Sequence, residues 1–238
     1  MLAPKSPFAR DTFQFFHDLG KHNHKDWMDK HRDRYQQCIV LPFRRFFEEL
    51  CPAVLELDSE FDVRGRTGSN FSRINRDIRF SKDKTLYKTH MYVKFQRPSG
   101  GASRETGQLY VGISKDVVTA GFRIYSGGKR KESVLALIAA PRVRAQPKWL
   151  AQQKKRLSRK YQSYWYSSVK GAWTRHEGWP TEPEHWKKLQ AWIVRKKLKI
   201  TAATNPGFSK ETLKIFKDLY ALLKFTSIPD EREQIAPH

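Results

Sequence analysis

Residues 73–90 read Arg-Ile-Asn-Arg-Asp-Ile-Arg-Phe-Ser-Lys-Asp-Lys-Thr-Leu-Tyr-Lys-Thr-His, and few stretches of the 238-residue chain concentrate so many reactive side chains. Arg73, Arg76 and Arg79 recur at every third position. On a helix or tight turn this spacing puts three guanidinium forks on one face, where each can grip a phosphate or carboxylate through paired N–H bonds. Lys82, Lys84 and Lys88 add point charges, while Ser81, Thr85 and Tyr87 add neutral donors, so the set reads as an anion cradle. Asp77 lies among the three arginines, which must depress its pKa; it is a poor general base near neutrality and better suited to orienting them. An Arg–Asp network that ties a loop to the fold would have the same composition. If the cluster is catalytic, the groups able to move a proton are Asp77, Tyr87 and His90, although His90 equally suits the first position of a strand.

A second concentration lies further along. Lys154, Lys155, Arg156, Arg159 and Lys160 are followed by Tyr161, Tyr164, Trp165, Tyr166 and Trp173. Cations hold a phosphate backbone while aromatic faces stack on unpaired bases, a composition suited to single-stranded nucleic acid or RNA. Leu157, Tyr161, Tyr164 and Trp165 fall on one helical stripe, which assigns those rings to a core and leaves the charges to a partner. Arg195, Lys196 and Lys197 end another basic stretch, in which Leu189, Trp192, Ile193 and Lys196 recur at helical spacing. Such a helix can lie on an anionic membrane, but its internal position favours docking on the protein's own core.

Other clusters carry less. His22, His24 and His31 sit near Asp26, Asp29 and Asp33 without the spacing of a zinc motif, so no metal is expected. The glycine-bearing loops 64–70 and 126–130 complete neither a Walker A nor a dinucleotide fingerprint, and no cofactor is expected. Cys38 and Cys51 lack Cys-x-x-Cys spacing and read as reduced core residues of a reducing compartment.

The elements that must position these groups follow from periodicity. Asp11 is placed to cap a helix carrying Phe13, Phe16 and Leu19 inward, with Gly20 as its stop. Asn23 and Asp26 are placed to cap a second, with Trp27, His31, Tyr35 and Cys38 on one face. Pro42 opens a third helix or kinks the second, and Phe43, Phe46, Phe47 and Leu50 extend the stripe to Pro52. The period then falls to two: Met91, Val93 and Phe95 alternate with Tyr92, Lys94 and Gln96, Leu109, Val111 and Ile113 recur at every second position, and 117–125 is rich in β-branched and aromatic residues. Helices are expected around 147–166, 184–198 and 209–225, the last capped by Ser209 with Leu213, Phe216, Tyr220 and Leu223 as its seam. The expectation is an α+β fold with N-terminal helices, a central antiparallel sheet and a basic helical C-terminal half. It forms one domain over 1–238, and any boundary inside it falls near Gly127-Gly128.

The pattern Arg73-Ile74-x-Arg76-Asp77-x-Arg79-Phe80-Ser81-x-Asp83-Lys84, followed by Tyr87-Lys88, resembles the family called domain of unknown function 2461. Phe15-Phe16-x-x-Leu19, Asn23, Trp27, Tyr35 and Pro42-Phe43 resemble the family's aromatic N-terminal helices, and the likeness spans roughly residues 11–125. It implies an α+β domain and no established activity.

The charge balance narrows the partner. Lys and Arg number 46 against 24 Asp and Glu, a net charge of +22. Residues 64–97 hold ten basic residues against two acidic, and 142–200 hold sixteen against three. A solubilising coat would be spread more evenly, so the blocks point to a polyanion, RNA or DNA, bound with little sequence specificity. The alternatives are an enzyme acting on a small phosphorylated or carboxylated substrate through the arginines, and a binding partner of an acidic protein. No basic region followed by an apolar run opens the chain and no stretch approaches a membrane span, so a cytoplasmic protein without a membrane partner is expected.

Overall fold

A computed structural model of the chain describes residues 6–98, 107–126, 134–169 and 172–227. Helix α1 (Arg10–Lys21) buries Phe13, Phe15, Phe16 and Leu19 on one face. Ala9, not Asp11, is its N-cap; Asp11 instead sits in the first turn, where its carboxylate meets the positive end of the helix dipole. The helix runs through Gly20, since one glycine in a helix costs only about 1 kcal/mol relative to alanine, less than the burial of a leucine contributes. Helix α2 (Lys25–Lys30) is capped by the His24 ring, whose Nδ1 accepts the Trp27 N–H at 3.3 Å, rather than by Asn23. Helix α3 (Arg32–Tyr35) passes through a π-helical turn, Gln36–Val40, into α4 (Leu41–Leu57). Pro42 occupies the first turn of α4, where its missing N–H goes unnoticed, but the helix continues through Pro52 because Val54 beyond it is buried in line with Phe43, Phe46, Phe47 and Leu50.

The sheet is six-stranded and antiparallel: β1 (His90–Phe95), β2 (Gln108–Ser114), β3 (Val118–Tyr125), β4 (Gln162–Val169), β5 (Ala172–Glu177) and β6 (Leu189–Leu198), in the order β1-β2-β3-β6-β4-β5. The remaining helices are α5 (Val134–Ala145), α6 (Pro147–Leu157), α7 (Pro183–Lys187), α8 (Ile200–Ala203) and α9 (Phe208–Thr226).

The class is α+β, but the C-terminal half is mixed rather than helical. Helix α6 stops at Leu157, and residues 162–169 alternate at period two, with Tyr164 and Tyr166 on one face and Ser163, Trp165 and Ser167 on the other. The Leu157–Tyr161–Tyr164–Trp165 spacing is thus a coincidence of two elements. Residues 189–198 form an interior strand that buries Leu189, Ala191, Trp192, Ile193 and Val194. A strand covered on both faces is apolar at consecutive positions, and such a run cannot be told from a helix by periodicity. Helix α9 forms where expected, but Ser209 lies inside it with its hydroxyl buried and unpartnered among the described residues, so it is not the cap.

The chain packs as two compact units: Met1–Gln96 with Tyr110–Ala120 and Lys197–Lys217, and Arg97–Leu109 with Gly121–Lys196 and Asp218–His238. In the first, Phe8 meets the rings of Phe43, Phe46 and Phe208, and Phe47 stacks on Phe95 at 4.9 Å. In the second, Trp192 is ringed by Phe122, Trp179 and Trp186 at 5.3–5.6 Å, and Trp149 stacks on Phe225 at 4.1 Å. Gly127-Gly128 and the rest of that loop up to Arg130 lie outside the described residues.

Candidate functional site

The segment 73–90 is a two-stranded ribbon rather than a helix. Lys94 N–H donates to the Asn70 carbonyl at 2.7 Å, Ser72 N–H to Tyr92 at 3.0 Å, Lys88 N–H to Ile74 at 2.8 Å and Arg76 N–H to Leu86 at 2.9 Å, pairing 70–76 with 86–94 around a tip at 77–85. Burial of Phe71, Ile74 and Tyr87 holds the ribbon on the core. Asn23 clasps it from the N-terminal helices: its amide donates to the Tyr87 carbonyl and its oxygen accepts the Tyr87 N–H, both at 2.8 Å. Asn70, fully buried, ties the base by donating to the Asp62 carbonyl at 2.6 Å and accepting the Arg66 N–H at 3.0 Å.

On this frame two of the three arginines expected to form a cradle, Arg76 and Arg79, enter separate ion pairs. Arg79 grips Asp77 with two bonds of 3.0 and 2.7 Å, whereas Arg76 binds Asp83 and donates to Thr85 Oγ1 at 2.8 Å. The Arg79 hydrogen bonds hold the Asp77 carboxyl down to about 2, so Asp77 is ionised at neutral pH and stores no proton. Lys84 donates to the Ile78 carbonyl at 3.1 Å and Lys82 is exposed. Phe80 projects from the tip, 95% exposed, with the Arg79 guanidinium 5.9 Å from its ring. Tyr87 is buried, and His90 opens β1 with its ring 5.2 Å from Tyr92. What does gather at the ribbon base is cationic: Lys88 donates to the Arg73 carbonyl at 3.0 Å, and its pKa is lowered by burial first and then by Arg76 and Arg73.

In the second unit, strand pairing builds a face that the sequence reading missed. Tyr164 stands opposite Ile193 and Glu177, Tyr166 opposite Ala191 and Arg175, and Ser168 opposite Trp173. Alternation therefore puts Tyr164 and Tyr166, Trp173 and Arg175, and Ile193 and Arg195 on one side of the sheet. Tyr125 of β3 packs there against the same cluster, with Arg123 5.8 Å from its ring. The Arg175 guanidinium lies 4.1 Å above the Tyr164 ring and that of Arg195 5.0 Å from it, the geometry of cation–π contacts. Tyr166 and Trp173 pack at 5.8 Å, and Trp173 is 48% exposed. Arg195 Nε is buried without a hydrogen-bond partner among the described residues. The signal that could have found this face is the period-two alternation of 162–169.

The predicted cations of this unit scatter over other elements. Lys154 and Lys155 line a cleft of about 680 Å³ along α6 with Arg144, Ser158 and Glu182. Arg156 donates to the Asp218 carbonyl at 2.7 Å, Lys160 lies 4.0 Å from the Asp218 carboxylate and Arg159 is exposed. Lys196 and Lys197 follow Arg195 at the end of β6. On the opposite sheet face Ser167 Oγ meets His176 Nε2 at 2.8 Å, with the imidazole stacked on Trp165 at 4.0 Å. No acid pairs with His176 among the described residues.

Among the described residues no group of three or more His, Cys, Asp and Glu is placed to hold a metal ion; His24 caps α2 and His31 Nδ1 meets the Trp27 carbonyl at 2.8 Å. No helix among them is long and apolar enough to cross a membrane. The sequence profile of a family described as "Conserved hypothetical protein (DUF2461)" matches residues 11–225, well beyond the 11–125 span of the visible motif and through the basic half. A search of curated proteins gave no match.

Proposed function

We propose that this chain, which belongs to the DUF2461 family, binds single-stranded nucleic acid with little sequence specificity on the side of β4 and β5 that carries Tyr166 and the exposed Trp173. The observation that carries the reading is the strand register that puts Tyr164, Tyr166 and Trp173 beside Arg175 and Arg195. Aromatic side chains on a sheet stack on unpaired bases without reading their edges, and arginine adds phosphate pairing and cation–π attraction. Residues 142–200, which supply most of this face, hold sixteen basic residues against three acidic, so a polyanion approaches a favourable field. Glu177 pairs with Arg175 at 2.7 Å and is the acid a phosphate would displace.

Substitution maps the reading onto residues. Trp173→Ala and Tyr166→Ala are expected to weaken binding of a short labelled oligonucleotide by about 1–3 kcal/mol each at fixed salt. Arg175→Gln is expected to weaken it and flatten its salt dependence. If all three variants bind like the parent, the face is not the platform.

A second reading, an enzyme acting on a small phosphorylated or carboxylated substrate, draws support from the Lys88 ammonium, whose pKa is lowered by burial first and then by Arg76 and Arg73. An oxyanion beside Lys88 and Arg73 would relieve that repulsion, while Arg76 is already held by Asp83. Turnover of model phosphate and carboxylate esters that disappears in Lys88→Met would favour it over the binding reading.

A further inference from the structure

A cleft of about 370 Å³ in the first unit lies against the ribbon, on a different set of residues from the nucleic-acid face. Phe43, Phe71 and Met91, all buried, supply apolar lining, and Arg44 and Arg73 supply charge. Arg32, Arg34, Arg64, Arg76 and Arg79 of this unit each bind a carboxylate. Arg44 and Arg73 bind none among the described residues; Arg44 lies 5.9 Å from the centre of the Phe71 ring. The half-buried Tyr35 hydroxyl also belongs to the lining, and its one hydrogen-bond partner among the described residues is the weak acceptor Met91 Sδ at 4.0 Å. Burial raises the pKa of this phenol, which therefore stays protonated and able to donate. The cleft thus offers two uncompensated guanidiniums and an under-used O–H donor beside apolar walls, within the usual size range of small-molecule sites.

We propose that this cleft binds a small amphipathic oxyanion, a carboxylate or phosphate ester on an aromatic or branched aliphatic body. The body packs on Phe43, Phe71 and Met91; the anionic head is held by Arg44 and Arg73, and Tyr35 donates its hydroxyl. Arg76 and Arg79 take no part, because Asp83 and Asp77 hold them. The proposal stands independently of nucleic-acid binding.

The test is calorimetric titration of the full chain with four probes: 3-phenylpropionate, phenyl phosphate, the neutral 3-phenylpropionamide and inorganic phosphate. Saturable one-to-one binding of at least one aromatic oxyanion is expected, about tenfold or more tighter than the amide or inorganic phosphate. The preferred head group distinguishes a carboxylate ligand from a phosphate ester. Arg44→Gln and Arg73→Gln, at exposed positions, are each expected to cost about tenfold, Tyr35→Phe several-fold, and Arg79→Gln nothing. Absence of saturation for both aromatic oxyanions, equal binding of the amide, or undiminished binding by the Arg44→Gln/Arg73→Gln double variant would overturn the proposal. Thermal melting of each variant separates lost binding from lost fold.

Discussion

Asp77 shows how one partner decides what a carboxylate can do. Its pKa falls to about 2 because Arg79 binds it through side chain and backbone. A carboxyl depressed on folding contributes stability that is fully present above its unfolded value, about 3.9, and disappears as pH falls through the folded one. The Asp77–Arg79 pair is therefore intact at neutral pH and opens between about pH 4 and 2. Carbon-detected NMR should place the Asp77 midpoint at about 2 in the parent, returning to the ordinary carboxylate range in Arg79→Gln; an ordinary midpoint in the parent would contradict the pairing. The depression is legible in the sequence, since arginines surround the aspartate. Its partner is not, because the three-residue spacing was laid on a helix or tight turn whereas 70–94 folds as a ribbon. Cys51 carries the opposite shift: burial, then Glu48, raises its thiol to about 11. Because thiolate is the reactive form, Cys51 should react with thiol reagents at pH 8 far more slowly than free cysteine, and faster only when the chain is denatured.

At the level of elements, Asn23 and Gly121 do work that their residue types do not advertise. Asn23 reads as a helix cap from its neighbours, yet both faces of its amide are engaged by the Tyr87 backbone, a partner 64 positions away. Asn23→Ala should cost about 1–3 kcal/mol in urea unfolding and speed amide exchange along the ribbon, because it leaves backbone groups unsatisfied. Gly121 lies where an added Cβ would come within 2.3 Å of the Val194 carbonyl oxygen and 2.7 Å of Arg195 Cα. Gly121→Ala must displace backbone on one strand or the other, and a loss of about 1–3 kcal/mol is expected by thermal melting. The aromatic N-terminal helices and β1 were legible because each has one buried face and hence a clear period, whereas β2 and β3, buried at consecutive positions, were legible from their β-branched and aromatic residues. Strands β4 and β6 were not: aromatics and serines alternate in β4 beside a helix that ends in the same composition, and β6 is buried across consecutive positions.

For the whole molecule, the excess of positive charge is legible in the sequence to the residue, but the proposed binding surface is not. Tyr164 and Trp173 sit on adjacent strands whose register only pairing fixes, and Arg195 joins them from a strand more than twenty residues further on. The two packing units were hidden for a related reason, since each is assembled from three separated stretches of chain. The most direct test of the central claim is the affinity of the nuclease-treated protein for a labelled single strand of mixed sequence over a salt series up to physiological strength. The account predicts saturable binding, nearly indifferent to base sequence, weaker for duplex, and falling steeply as salt rises, with a log–log slope of about −0.7 for each phosphate contacted. Absence of binding at physiological salt, or an affinity insensitive to salt, would contradict it.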